Sequence, residues 1–291
     1  MDSKPNSDNP KPEQNQKKPE SNDPPKKRGR SKQWQNLTSS YLSLDPLYGV
    51  DQTKQDKVWD YSEGNLGKGL LYPDTFASSR LLLMPSASCA LLVLFCRNHN
   101  RVAERVLQLN EQKRWNTNPS ELSSQEQRRK QDDEVFGAAR LVNCNYFVQM
   151  ILHDYLQSIL GSVQADSDWS LDPRMQVKTL LGTTPKAVGN SVSIEFNILY
   201  RWHSCLSMLQ TQWLEEQMSK GLPSRMKQGT YERDPNTGRF RDEDIARILR
   251  DSTNDVAGAF GAHHTPAVMR WIDCQGMRTA RCEKEMAQIK Q

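Results

Sequence analysis

The chain is poor in what a compact domain usually has most of. Of its 291 residues, 36% are apolar, against roughly 45–50% in an ordinary globular domain. Much of the shortfall is local. Residues 1–33, MDSKPNSDNPKPEQNQKKPESNDPPKKRGRSKQ, hold no aromatic residue and no aliphatic one beyond Met1. Such a segment cannot bury enough surface to offset the entropy of ordering it, so residues 1–35 are expected to be a disordered tail. An excess of positive charge is also missing elsewhere. The tail holds nine Lys/Arg and five Asp/Glu, a net +4, and the whole chain is +4, which leaves 30 basic and 30 acidic residues in the remainder. The basic balance therefore describes the tail and is no sign of a basic binding face on the folded part, and no nucleic-acid partner is expected. The short cluster KKRGR reads as a solvated linker, with a nuclear or nucleic-acid handle as the weaker alternative.

Cysteine patterning is absent too. The six cysteines, Cys89, Cys96, Cys144, Cys205, Cys274 and Cys282, form no CxxC pair and no Cys/His cluster with zinc spacing. They read as small buried hydrophobes in a reducing compartment. No apolar core follows the N-terminus, so no signal peptide is expected. The most apolar run, LLLMPSASCALLVLFC, is broken by Pro85, Ser86 and Ser88. It is too interrupted for a transmembrane span and reads as a core helix. A cytoplasmic location follows, free or peripheral to membranes or lipid bodies. Internal repeats and strand-like alternation are missing as well, which leaves an all-α fold.

What is present is helical periodicity. Residues 36–50 are turn-rich with spaced aromatics, a loop expected to pack on the core. Residues 87–110 predict a long helix, with Val102, Val106 and Leu109 at helical spacing. A polar connector covers 116–131. Asp132 is then expected to cap a helix that runs to a stop at Gly161. That helix is apolar nearly all round, so it is expected to be central and buried. Residues 162–190 read as a loop, and 191–218 as one continuous helix. Further helices are expected at 242–250 and after Thr265–Pro266.

The stretch SVSIEFNILYRWHSC, residues 191–205, holds the chemistry. Tyr200 and His203 form an i,i+3 pair, which on a helix shares one face with Cβ atoms roughly 5–6 Å apart. A phenol and an imidazole aimed the same way suit a redox tyrosine beside a metal ligand, and equally a pair of packed core residues. The other histidines, His99, His153, His263 and His264, carry no such partner pattern. His99, Asn100 and Arg101 fall where a helix leaves the core and gains polar residues.

Five clusters occur in order: TSSYLSLDPLYG, RNHNRVAERVLQLNEQKRW, DDEVFGAARLVNCNYFVQMILHDYLQSILG, EFNILYRWHSC and DSTNDVAGAFGAHHTPAVMRW. Together they resemble the cyclooxygenase/animal-type haem peroxidase superfamily, and within it the fungal linoleate dioxygenases and psi-factor-producing oxygenases. The resemblance covers about residues 36–282 and implies a helical haem-peroxidase-like domain over 36–285, with 286–291 a second short tail. It implies haem as cofactor, with His203 the axial ligand to the iron and Asn197 and Trp202 shaping the haem pocket. It implies that Tyr200 is oxidised to a radical that takes a hydrogen from a polyunsaturated fatty acid, to which O2 then adds. His99, Asn100 and Arg101 match a motif that reads as structural. The family also has a distal histidine a few tens of residues before the TSSYL-like segment. Here the first histidine is His99. The expectation is therefore an N-terminally truncated domain, incomplete on the distal side and weak in oxygenation by itself. The alternative is a non-catalytic protein that binds haem, lipid or partners. The spacing does not speak to oligomeric state.

Limited proteolysis of the native chain is expected to remove residues 1–33 first and to leave a resistant core. Protection of that segment without a partner would contradict it.

Overall fold

A computed structural model describes residues 41–78, 81, 85–161, 178–180, 182–183, 191–193, 195, 200, 205–219, 227–228 and 231–258. The tail 1–35 and the helix expected after Thr265–Pro266 lie outside the described residues.

The described fold is helical. Short helices α1 (Asp45–Tyr48) and α2 (Gln52–Gln55) open it. The long helices α3 (Ser86–Leu109) and α4 (Gln125–Gln149) form the main packed pair. A π-helical turn, Met150–Tyr155, continues α4 without a break into α5 (Leu156–Leu160). Then come α6 (Met208–Ser219) and α7 (Asp242–Asn254). Strands are confined to two minimal antiparallel ladders, β1 (Lys178–Thr179) with β2 (Gly182–Thr183), and β3 (Lys227–Gln228) with β4 (Tyr231–Glu232). Of the segment 36–50, the described residues 41–50 pack on the core as expected, with Leu47 and Tyr48 of α1 fully buried.

Asp132 is the first correction. It caps nothing. Helix α4 starts seven residues earlier, where Ser124 is the N-cap and its hydroxyl accepts from the Gln127 N–H at 3.1 Å. Asp132 instead lies mid-helix, fully buried, and its carboxylate gathers a distant loop. Gly67 and Gly69 each donate a backbone N–H to Oδ1 at 2.7 Å, and the Trp59 indole donates to Oδ2 at 2.7 Å. Burial raises its pKa above the ordinary carboxylate value, while the three donors pull it back down. Gln131 beside it donates to the Gly67 carbonyl at 3.0 Å and to the Asn116 carbonyl at 2.9 Å. Loop 62–71 is thereby laid across α4, and Trp59 stacks on Phe136 with ring centroids 3.8 Å apart.

The loop hands the chain of hydrogen bonds on to α3. His99 is completely buried, with Nε2 3.0 Å from the Gly69 carbonyl and Nδ1 2.8 Å from the Tyr48 hydroxyl. A carbonyl only accepts, so Nε2 carries the proton, and the Tyr48 hydroxyl donates to Nδ1. The Tyr48 oxygen in turn accepts from the Asn143 amide at 2.9 Å, and Asn98 donates to Asn143 at 2.8 Å. Asn100 bonds both backbone groups of Leu71, at 2.8 and 2.9 Å. His99 and Asn100 are thus structural, as expected from the sequence.

A second tie fastens α7. Arg97 of α3 grips Asp74 with two nitrogens, both at 2.8 Å, and also reaches Asp242 and the Phe240 carbonyl at 2.6 Å each. Asp74 is buried with φ 50, a left-handed backbone held by these bonds and by the Phe240 N–H at 2.7 Å. Behind this tie, Phe240, Ile245 and Ile248 pack on Ala90 and Val93 of α3.

Two further expectations are corrected. Helix α4 is not buried all round: Leu141, Val142 and Tyr146 are exposed, Leu141 at 74%. Its buried face turns toward α3 and the loop; the opposite face is charged in the first half, with Glu126, Arg129, Lys130 and Asp133, and apolar only in the second, where the described residues leave it uncovered. By length and composition alone the run Gln125–Leu160 is long enough to cross a bilayer. Its buried Gln131, Asp132 and Asn143 are satisfied by α3 and the loop, which accounts for it as a packed helix of the domain. Nor is 191–218 one continuous helix. Residues 191–193 and 206–207 are non-helical, and α6 begins afresh at Met208 with the Ser207 hydroxyl accepting from the Gln210 N–H at 3.0 Å.

Two outcomes follow from the Asp132–His99 chain. A Cβ at Gly69, whose φ is +64, would stand 2.4 Å from the backbone nitrogen of Phe136. Gly69→Ala is expected to lose at least ~2 kcal/mol of stability by denaturant titration. Gly64→Ala, where a Cβ meets nothing within 4 Å, changes it by less than about 0.5 kcal/mol. Equal effects would refute the close-approach account. Burial, and to a smaller extent Arg140, lowers the His99 pKa from 6.5 to about 4, against the opposing Gly69 hydrogen bond. The unfolded chain takes up this proton near pH 6.5 and the folded chain does not, so stability falls as pH drops through the window 6.5 to about 4. The loss from this one group is of order 3 kcal/mol. His99→Gln is expected to flatten the difference in unfolding free energy between pH 7 and pH 4.5 by about 2 kcal/mol or more; an unchanged difference would refute it.

Candidate active site around Tyr200

The π-helical turn is what aims the candidate site. α4 packs on α3 through Phe95, whose ring lies 5.5 Å from that of Phe147. Immediately afterwards the helix widens over Met150–Tyr155, with Leu152 buried. Such widened turns recur at functional sites because they re-aim side chains within a helix. The last residue of the turn is Tyr155. Its hydroxyl lies 2.5 Å from the hydroxyl of Tyr200, across 45 residues of sequence. Tyr200 sits in a turn and is 43% exposed, outside the packed core. Asn197, Trp202 and His203 lie outside the described residues. His153, two residues before Tyr155, is exposed.

Tyr155 was missed by sequence reasoning as a site residue. It stands in the DYLQ segment, but no local spacing links it to a tyrosine 45 residues on. Only the fold brings the two phenols together. The apolar patch of α4 that the described residues leave uncovered, Leu141, Val142 and Tyr146, belongs to the same helical run, and Leu91 and Leu94 of α3 are also exposed. Apolar surface of this kind is a mark of ligand or interaction sites.

The two phenols meet outside the core, Tyr155 at the end of the π turn and Tyr200 in a turn, and His203 follows three residues further along the sequence. Among the described residues no group of three or more His, Cys, Asp or Glu could hold a metal ion by itself. The model of the animal haem peroxidase family matches residues 4–279. The chain belongs to that family. The match begins inside the segment expected to be a tail.

Similarity to individual proteins is substantial. Psi-producing oxygenase A of Emericella nidulans is 37% identical, with 84% of this chain and 24% of the relative covered. Linoleate diol synthase of Gaeumannomyces graminis is 37% identical, with 84% and 23% covered. Linoleate 10R-lipoxygenase of Aspergillus fumigatus is 33% identical, with 84% and 24% covered. The chain spans about a quarter of the length of these curated relatives. No solved structure matches it.

Proposed function

We propose that the chain forms part of a haem-dependent fatty-acid dioxygenase, with Tyr200 the hydrogen-abstracting residue and His203 the axial ligand. The observation that carries this is the Tyr200 phenol, held outside the core against Tyr155 at 2.5 Å, in the segment three residues before an imidazole. The names of the relatives, psi-producing oxygenase A and linoleate diol synthase, support a polyunsaturated fatty acid and O2 as the substrates. Asn197 and Trp202, close to Tyr200 and His203 in the sequence, would shape the pocket wall.

Haem bound at His203 would supply the one-electron oxidant that starts the cycle. When Tyr200 loses an electron its phenolic proton needs an exit, and the Tyr155 hydroxyl, within hydrogen-bond reach, can relay it by accepting that proton as it passes its own to solvent. The Tyr200 phenoxyl takes a hydrogen atom from the carbon between two double bonds and becomes a phenol again. O2 adds to the resulting carbon radical. The peroxyl group then takes a hydrogen atom back from Tyr200, which yields the hydroperoxide and regenerates the phenoxyl.

The test is spectroscopic first. Haemin added to the purified chain is expected to give a Soret band that His203→Ala shifts or abolishes; identical spectra would sink the ligand assignment. Linoleate-dependent oxygen uptake by the protein carrying this chain is expected to fall at least about 100-fold in Tyr200→Phe. Uptake unaffected by that change would exclude Tyr200 from the chemistry.

A further inference from the structure

The residues just beyond Tyr200 and His203 are clasped by the end of another helix. Ser207 is buried, and its hydroxyl donates to Asp255 Oδ2 at 2.6 Å while accepting from the Gln210 N–H. Two residues earlier, the Cys205 carbonyl accepts from the Gly258 N–H at 3.0 Å. The approach is so close that a Cβ at Gly258 would stand 2.6 Å from the Leu206 carbonyl oxygen. Asp255 directly follows α7, which Ile245 and Ile248 anchor on α3. A rigid path therefore runs from the α3 core through α7 to Cys205–Ser207. On the other side, Tyr200 is bonded to Tyr155 at the end of the π turn. His203 falls in the sequence between these two held points.

The break at 206–207 makes the clasp matter. A helix continuing unbroken into α6 would hold its residues by backbone geometry alone. Here the backbone is non-helical at Leu206 and Ser207, so orientation has to come from side-chain and loop contacts. A short hydroxyl-to-carboxylate bond is among the stronger neutral-to-charged contacts available.

We propose that Asp255, with Gly258, is a positioning residue for the segment that leads from Tyr200 to Ser207. Its carboxylate fixes Ser207, and through Ser207 constrains the chain that leads back to the Tyr200 phenol. It touches no substrate. The inference rests on the proposed function for its purpose, and on the Ser207–Asp255 and Cys205–Gly258 bonds for its geometry.

The experiment uses the full 291-residue chain labelled with fluorotyrosine. The Tyr200 resonance is assigned by its loss in Tyr200→Phe, and haemin affinity is measured in parallel. Asp255→Ala is expected to shift or broaden the Tyr200 resonance and to weaken haemin binding by about tenfold or more, as loss of a contact behind a ligand commonly does. Asp255→Asn keeps an oxygen to accept the Ser207 hydroxyl and is expected to restore most of both, which a general loss of stability would not do. Circular dichroism reports whether each variant is folded. Ser207→Ala removes the same bond from the other partner and decides the matter should Asp255→Ala fail to fold. An unmoved Tyr200 resonance in the folded variant overturns the proposal. Haemin binding that His203→Ala leaves unchanged overturns the haem reading instead, because the Tyr200 resonance reports on the clasp without haem.

Discussion

One buried carboxylate organises the described fold. Asp132 sits in the middle of α4 and is fully satisfied by two glycine amides and one indole. An uncompensated charge there would cost several kcal/mol, so the carboxylate and loop 62–71 specify each other. The loop can follow this path only because Gly67 and Gly69 take positive φ where α4 and Pro119 leave no room for a side chain. Once laid down, it presents the Gly69 carbonyl to His99, and the His99–Tyr48–Asn143 chain ties α1, α3 and α4 together. The aromatic rings of Trp59, Phe136, Tyr48 and His99 close over this polar thread. Burial of the ring faces and satisfaction of the polar atoms reinforce each other.

The helical part of this fold was legible in the sequence because it is local. The 3–4 spacing of Val102, Val106 and Leu109 marked α3 to within a residue at each end, and Gly161 marked the end of α5. The region of α7 was likewise visible. Asp132 was misread because a polar residue ahead of an apolar run looks like a cap, and its true partners lie 63 to 73 residues away. The exposure of Leu141 and Val142 was misread for a related reason. Apolar character states what a surface favours and not whether anything covers it.

The candidate site divides in the same way. Tyr200 and its imidazole neighbour could be singled out from the i,i+3 pattern and the family resemblance. The Tyr155 partner could not, since neither propensity nor period relates residues that far apart. The Ser207–Asp255 contact was hidden by the expectation of an unbroken helix over 191–218, which left no break in need of a brace. In each case the information sits in pairings between distant elements, and single-sequence periodicity is blind to these.

The π turn of Met150–Tyr155 acts as a built-in rotation of everything beyond it. Each α-helical residue advances about 100° around the axis, and a π turn absorbs an extra residue without breaking the rod. The packing seam with α3 and the phenol of Tyr155 are therefore set on independent angular scales. The first half of the run answers to the core and the second to the tyrosine it must meet. The face that a conventional helix would keep in line is instead offset by one residue's turn, and a single-residue insertion or deletion inside this hexapeptide is the smallest change that would swing Tyr155 away while leaving the Asp132 end of the helix untouched.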